Sequence, residues 1–315
     1  MCISDRKGVR KRSVPSANFV AGHGIADDAH AGRWHRQVSL LASRDIADVR
    51  ARLKDLQPGD FAENVVVAGL NLSGLGLGSR LRLGDHVELS VTQIGKVCHS
   101  PCHIYHLTDD CIMPRLGLFA RVLSGGTVKI GEAVKVLEHV PRERFQAVIL
   151  TISDRCSRGQ ARDTAGPAIA LQLEQSLGAH VYRQEVLGDE RLIIAERLKH
   201  YCDGHSIDLV VTVGGTGFSP RDVTPEATRD VVDRFAPGLD EAMRGASLRL
   251  TPHAMLSRAV SGVRGATLIV NLPGSERAAV ENLGVIMPAL GHGLAKLRGD
   301  TADCGRRAEG DVDHA

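Results

Sequence analysis

Hydrophobic and polar positions change rhythm half-way along the chain. From Val38 to Glu138 the alternation is mostly of period two, with Val87, Leu89 and Val91 set against Glu88, Ser90 and Thr92, as in strands buried on one face. Residues 83–89 (LGDHVEL) and 130–136 (IGEAVKV) repeat one local solution: an apolar strand end, a Gly-acid turn and a new strand. With Ser124-Gly125-Gly126-Thr127 as a further turn, this half predicts a compact, mostly-β barrel of short antiparallel strands.

A short charged break, Val140-Pro141-Arg142-Glu143-Arg144, precedes apolar strands that alternate with helices. Ala147 to Ile152 is a continuous apolar strand. Asp163 can cap a helix that turns Ile169, Leu173 and Leu177 to one side before Gly178 ends it, and Asp189 can cap another with Ile194, Leu198 and Tyr201 inside. Ile207 to Val213 is a buried strand. Thr224-Pro225 reads as N-cap and first position of a helix carrying Val231, Val232 and Phe235 inward, and Ala266 to Leu272 is a strand leading to a helix from about Ser275. That rhythm predicts a three-layer α/β domain with a largely parallel sheet. The expected division is a β-barrel domain over 1–140, an α/β domain over 145–298 and a polar, disordered tail over 299–315.

Length and charge support two soluble domains. The chain has 315 residues, and 39 Lys plus Arg against 37 Asp plus Glu leave a net charge of +2, so no global field attracts polyanions. Six Phe, three Tyr and one Trp are too few to stack bases along a groove, which argues against nucleic acid as a partner. No run approaches the roughly 18 apolar residues that cross a bilayer, and the basic start precedes no apolar signal core; no membrane and a cytoplasmic location are expected. Seven cysteines at irregular spacing favour reduced thiols over a disulfide framework.

Two regions carry candidate chemistry. The first gathers Cys98, His99, Cys102, His103, His106, Cys111 and Arg115. A zinc site, a covalent haem attachment and a reactive thiol at Cys102 flanked by histidines all stand as readings, beside ordinary buried thiols and surface histidines. The second is the set of strand ends in the α/β half: Thr151-Ile152-Ser153-Asp154-Arg155, then Gly214-Gly215-Thr216-Gly217 and its sequel to Pro225, then Asn271-Leu272-Pro273-Gly274-Ser275. Ligands of such sheets bind beyond the carboxyl ends of the strands, and Gly-rich turns before helices offer backbone donors to phosphate. Neither turn is a Walker loop or a Rossmann fingerprint. Asp154, Asp189 and Asp222 fall on this same rim, where Mg²⁺ bridging phosphates needs carboxylates.

Several ordered motifs then carry two resemblances. The runs 24–32 (GIADDAHAG), 35–40 (HRQVSL), 58–64 (PGDFAEN) and 77–84 (LGSRLRLG), closed by Ser100-Pro101-Cys102, resemble the MOSC family, β-barrel domains named for the C-terminal domain of molybdenum cofactor sulfurase. The resemblance implies that Cys102 carries sulfur or contacts a cofactor. Two departures are Asp27, where the family often has Gly, and Ala62, which interrupts the usual Gly-Asp-Phe-Gly-Glu-Asn.

The second half resembles the molybdopterin adenylyltransferases across about 145–298. The matching residues are Thr151-x-Ser153-Asp154-Arg155, Asp189, the run from Gly214 to Ala227, Pro237-Gly238, Met243-Arg244, Leu256-Ser257-Arg258 and Asn271 to Ser275. The family's Pro-Lys after that last run is replaced by Glu276-Arg277. The resemblance implies transfer of the adenylyl group of ATP to the terminal phosphate of molybdopterin, with release of pyrophosphate. It assigns Asp189 and Asp222 to Mg²⁺ or to the attacking phosphate, with Ser153 and Asp154 lining the pocket. Gly214, Gly215, Thr216, Gly217, Arg221, Thr224, Pro273, Gly274 and Ser275 would form the phosphate and nucleotide cradle. A homotrimer and a molybdenum-insertion partner are further implications. A non-catalytic pterin binder, and a sulfur or cofactor carrier acting through Cys102, stay open beside the enzyme.

Iodoacetamide labelling across pH with peptide mass spectrometry is expected to find Cys102 alkylated faster, and at lower pH, than Cys2 or Cys202, with no stoichiometric zinc. One zinc per chain, with chelation needed before Cys98, Cys102 and Cys111 label, would replace the reactive thiol by a metal site.

Overall fold

The computed structural model describes residues 1–51, 53, 56–96 and 111–301. Cys98, His99, Cys102, His103, His106 and most of the tail from 299 lie outside the described residues.

The first half is sheet-rich. Its strands are β1 (Cys2–Ile3), β2 (Arg12–Ser13), β3 (Ser16–Val20), β4 (Gly24–Ile25), β5 (Val38–Ala42), β6 (Val65–Val67), β7 (Arg80–Leu83), β8 (Val87–Ile94), β9 (Leu118–Ser124), β10 (Gly126–Lys129) and β11 (Val134–Glu138), with short helices α1 (Ser43–Arg50) and α2 (Met113–Leu116). Strands pair as a six-stranded sheet, β11-β7-β8-β9-β5-β6, a three-stranded sheet, β10-β3-β4, and the ribbon β1-β2. Val87, Leu89 and Val91 are buried, as their spacing predicts. Thr92 is buried as well, because its hydroxyl donates to the carbonyls of His35 and Phe119.

Three details differ from the antiparallel barrel. β5 and β6 run parallel. Among the described residues, no ladder joins the outer strands β11 and β6 into a closed barrel. Ser124 to Thr127 is a corner, not a hairpin: β9 lies in the large sheet and β10 in the small one, so the chain crosses between layers there.

The second half is three-layered. Its elements are β12 (Gln146–Ile152), α3 (Asp154–Ser157), α4 (Ala165–Gln172) continued by a π turn over Leu173–Leu177, β13 (His180–Leu187), α5 (Arg191–Gly204), β14 (Leu209–Val213), α6 (Thr224–Arg229), β15 (Arg234–Phe235), α7 (Pro237–Leu248), β16 (Ser261–Arg264), β17 (Thr267–Leu272) and α8 (Glu276–Leu297). The sheet order is β13-β12-β14-β17-β16-β15. The first four strands are parallel and the last two antiparallel. β12, β14 and β17 are buried along their whole length, which is why they read as unbroken apolar runs. Ile194, Leu198 and Tyr201 of α5 cover one face; Ile169 and Leu173, with Leu283, Ile286 and Leu290 of α8, cover the other.

Caps were less legible. Asp163 does accept from the Gly166 amide, and Gly178 (φ +65°) ends its helix. Asp189 does not cap α5: Glu190 holds that N-cap position without a side-chain bond, and the Asp189 carboxylate turns to the Asp154 amide, the first of α3. Thr224 is the first helical residue of α6, not its N-cap, and its hydroxyl donates to the Gly214 carbonyl. Phe235 is 60% exposed, because α6 stops at Arg229 and the chain leaves the core on the edge strand β15.

Asp27 (φ +63°) and Ala62 (φ +61°) are, among the described residues, the non-glycine positions in left-handed backbone, and they are the two places where the MOSC motif prefers glycine. Asp tolerates that conformation; Ala pays a Cβ clash of about 1–2 kcal/mol, partly offset by the greater chain entropy glycine would lose. Ala62→Gly is therefore expected to stabilise the first half by about 0.5–1 kcal/mol, read as a higher midpoint in urea unfolding with an unchanged slope. A lower midpoint would mean that the Ala62 methyl contributes more by packing than its backbone loses.

Candidate active site

The carboxyl ends of β12, β14 and β17 meet without side chains between them. Gly214 (φ +107°) packs so closely that a Cβ there would lie 2.4 Å from the Ile152 carbonyl oxygen, and a Cβ on Gly274 would lie 3.3 Å from the Gly214 Cα. At Gly215 (φ +63°) a Cβ would strike the Thr224 hydroxyl at 2.4 Å and approach Asp189 Oδ1 at 3.2 Å. These glycines are required by the turn, and they bring the backbone to the floor of a cleft of about 530 Å³. Ser153, Asp189, Gly214, Gly215, Asp222, Gly274 and Ser275 line it.

Each strand end is pinned from behind. Thr224 donates its hydroxyl to the Gly214 carbonyl (2.9 Å) and its amide to that of Gly215 (3.1 Å). Arg258 donates to the Gly217 (2.7 Å) and Asp222 (2.5 Å) carbonyls and pairs with Glu226, so the loop over 217–222 hangs on one guanidinium. Ser219 donates its amide to Asp222 Oδ2 at 3.0 Å. Ser275 is the N-cap of α8, accepting from the Ala278 amide, so the positive end of a 22-residue helix points at the cleft.

The three acids play different parts. Asp154 and Asp189 exchange backbone bonds: the Asp154 amide donates to Asp189 Oδ2 (2.7 Å) and the Asp189 amide to Asp154 Oδ1 (3.1 Å). Both Asp154 oxygens also receive Arg221, whose guanidinium reaches Glu190 as well. The Asp189 amide and the Arg221 cation hold Asp154 below the usual carboxylate range. Asp189 is pushed upward by burial, then by the charges of Asp154 and Asp222. Asp189 and Asp222 thus face the cleft as like charges, while Arg221 is occupied at the rim.

The structure distributes the candidate residues over two adjoining pockets. Thr216, Gly217 and Pro273 line an adjoining pocket of about 290 Å³ on the far side of the glycine loop, and Thr224 lies behind the loop. That pocket has apolar walls from Met243, Leu250 and Leu256 with Ser247, Asn271 and Asn282 among them. Arg244 and Ser257, both from motifs that the sequence offered without a role, also line it. Arg155, Arg162 and Asp163 line the main cleft and were not assigned to it; Asp163 accepts from the Thr151 hydroxyl at 2.8 Å. Glu276, the departure noted in the sequence, lies on the same lining.

The sequence of this half can now be set against known proteins. A profile described as “Probable molybdopterin binding domain” matches residues 148–292, and the MOSC domain profile matches 27–135. A molybdopterin adenylyltransferase of Helicobacter pylori is 43% identical over 143 residues, 45% of this chain and 81% of that protein. By its C-terminal half the chain belongs to the molybdopterin adenylyltransferase family. Gephyrin of Dictyostelium discoideum is 44% identical over 166 residues, which span 49% of this chain and 23% of gephyrin. A crystal structure titled as the molybdopterin biosynthesis enzyme MoaB of Thermus thermophilus is 47% identical, with 50% of this chain and 98% of that chain covered and a TM-score of 0.48.

The MOSC half has a smaller pocket, about 130 Å³, lined by His30, Trp34, Arg36, Ser39, Asn64 and Lys96 among others. Behind it the motif residues form a buried network. Asp28 accepts from Lys11 Nζ (2.5 Å), the Ser4 and His30 amides and Asn64 Nδ2, and Asn64 Oδ1 accepts from the Ser39 amide and hydroxyl. Burial alone would raise the Asp28 carboxyl, but the His30 and Lys11 hydrogen bonds outweigh it and hold it well below the usual range. Burial pushes the Cys2 thiol to about 11 and the Cys202 thiol to about 12, as expected of structural cysteines. Among the described residues, no group of three or more His, Cys, Asp or Glu is placed to hold a metal, and no helix is long and apolar enough to cross a membrane.

Asp189→Asn keeps an oxygen for the Asp154 amide and removes a repelled charge. A carboxyl raised in the folded state stabilises it most when protonated, and that contribution is lost as pH rises through its folded value. The melting temperature of the Asn variant is expected to equal or exceed that of the parent, with the difference growing from pH 4 to pH 7. A loss of several degrees would make the Asp189 charge structural.

Proposed function

We propose that the C-terminal half is a molybdopterin adenylyltransferase, joining the terminal phosphate of molybdopterin to the α-phosphate of ATP and releasing pyrophosphate. The observation that carries this reading is a single cleft holding bare backbone amides, a helix N-terminus, two arginines and two mutually repelling carboxylates. Attack of one phosphate on another needs positioning and charge balance, not a protein nucleophile. A phosphate oxygen of molybdopterin bonds to the α-phosphorus as the bond to pyrophosphate breaks. The amides at Gly215 and Ser275 are suited to hold the phosphates, with Arg155 and Arg162 opposing their charge.

The donor set fits a hard cation. Asp189 and Asp222 are oxygen donors on one wall, Asp189 is raised partly by the other carboxylates, and Mg²⁺ accepts one or two carboxylates beside substrate phosphates. When bound there, Mg²⁺ would supply positive charge that relieves this repulsion and screens the phosphates. The adjoining pocket, with apolar walls and amide and hydroxyl side chains, suits the flat, polar-edged pterin. Exposed Leu248, Leu250, Met255 and Leu256 beside it suit the trimer that the family resemblance implies. The MOSC half would handle sulfur or bind cofactor through Cys102, and a molybdenum-insertion protein would take the adenylylated product.

A second reading is favoured by Glu276, a carboxylate on the lining where phosphates would sit. In that reading the chain holds the pterin without adenylylating it. Purified protein with molybdopterin and Mg-ATP is expected to release pyrophosphate and yield the adenylylated pterin by chromatography; none of either would leave the binder. Asp222→Asn, which keeps an acceptor for the Ser219 amide, is expected to lower the rate by about 10²–10³-fold at saturating Mg²⁺ without a change in melting temperature. Full activity in that variant removes Asp222 from the mechanism.

A further inference from the structure

The two halves meet at the corner between α5 and β14, at the amino ends of the α/β strands. His205 is 8% exposed, and its Nδ1 lies 2.8 Å from the Thr92 carbonyl oxygen of β8. A carbonyl only accepts, so Nδ1 carries the proton; Nε2 then accepts from His200 Nε2, 3.2 Å away. Ser206 grips the next residues of the same strand, donating its hydroxyl to the Ile94 carbonyl (3.1 Å) and accepting from the Ile94 amide (3.4 Å). On the other side the His35 ring lies 4.5 Å from that of His205, and His35 Nε2 donates to Gln93 Oε1 at 2.8 Å.

The residues held by this corner do not line the small pocket of the MOSC half, but each is within two residues or one hydrogen bond of a residue that does, Thr92 through its hydroxyl bond to the Phe119 carbonyl. Trp34 and Arg36, the neighbours of His35, form one wall, and Lys96, two residues after Ile94, lies on another. The Trp34 ring meets the His35 ring at 6.1 Å and carries the Arg36 guanidinium at 4.8 Å. Nothing in the α/β chemistry uses His200, His205 or Ser206, whose corner sits at the opposite ends of the strands from Asp189 and Asp222.

We propose that the 200–206 corner of the α/β half is a positioning element for the cationic pocket of the MOSC half, with His205 acting through Thr92 and His35, and Ser206 acting through Ile94. The proposal rests on the reading of the MOSC half as a cofactor or sulfur handler, and its test separates the two. The imidazoles are faced by Arg36 from the 26–37 loop, Arg121 on β9, Tyr182 and Glu185 on β13, and Arg197 and Tyr201 on α5. Burial first, then neighbouring positive charge, holds His35 and His205 below the usual histidine range, so both rings are neutral at pH 7.

Trp34 is the single tryptophan of the chain, so its fluorescence reports this wall alone. In the full-length protein, His205→Ala is expected to raise the acrylamide quenching constant of Trp34 about twofold, because the wall loses the hydrogen bonds that hold it closed. Imidazolium quenches indole emission, and hydration of His35 lifts its pKa, so the acid loss of emission is expected to begin at higher pH than in the parent. His205→Asn, whose Nδ2 can still donate to Thr92, is expected to restore most of both values. Ser206→Ala, an exposed change that leaves the fold to form, is expected to move the quenching constant in the same direction by less. Adenylyl transfer is expected to stay within about twofold throughout. Parental quenching and pH profile in folded His205→Ala, or in Ser206→Ala should the former not fold, overturn the proposal, as does loss of adenylyl transfer with Trp34 unmoved. An unreactive Cys102 in a protein whose Trp34 responds as stated overturns the sulfur-carrier reading and leaves the positioning role standing.

Discussion

The approach of Gly214 to the Ile152 carbonyl oxygen is the constraint on which the α/β site depends. No residue with a Cβ fits there, since its nearest neighbour would be backbone at 2.4 Å and backbone cannot give way cheaply. That contact lets β14 turn across the end of β12 while its amide still bonds to the Leu272 carbonyl of β17 at 3.0 Å. Three strand ends therefore share one floor. The interactions around it keep the floor in place: Thr224 beneath Gly214, Arg258 across the loop carbonyls, and Asn271, which donates to Thr212 and Thr228 and so ties β17 to β14 and α6.

Charge then decides what the floor can receive. Arg221 and the Asp189 amide satisfy Asp154, which removes one of three acids from the contest. Asp189 and Asp222 are left facing a cleft that also holds backbone amides, a helix N-terminus, Arg155 and Arg162, with Asp163 and Glu276 as further carboxylates on the lining. Such a site combines repulsion between its carboxylates with backbone donors and arginines that attract anions. Glu276 works against this balance, but it is exposed and solvent screens it, whereas Asp189 is partly buried.

Legibility in the sequence followed how local the cause was. β12, β14 and β17 were readable because burial on both faces leaves unbroken apolar runs, and Ser275 because a cap bonds three residues ahead. Asp189 and Thr224 looked like caps on the same logic, yet their partners, Asp154 and Gly214, lie 35 and 10 residues away in the chain, and nothing in the spacing marks them. The pocket walls at Met243, Leu250 and Leu256 come from α7 and the turn after it, an amphipathic helix whose exposed face resembles any other in sequence. In the MOSC half the motif was conspicuous, but much of it is a buried scaffold of Asp28, Lys11 and Asn64 rather than reacting groups. The two places where this chain departs from that motif are those where left-handed backbone is kept without glycine.

The geometry of the joint bears on how two chemistries share one chain. The MOSC half is held at Thr92, Ile94 and His35 against residues 200–206, where α5 ends and β14 begins, whereas the adenylyltransferase cleft opens where β14 ends. A seven-residue strand such as β12 spans about 23 Å, so roughly the height of the sheet lies between the two sites. Among the described residues that interval is filled by Val148, Ile149, Leu150, Val210 and Val211, all fully buried and packed as protein interiors are. The joint therefore ties the amino ends of the α/β strands to β8, while the cleft at their carboxyl ends keeps its own supports in Thr224 and Arg258.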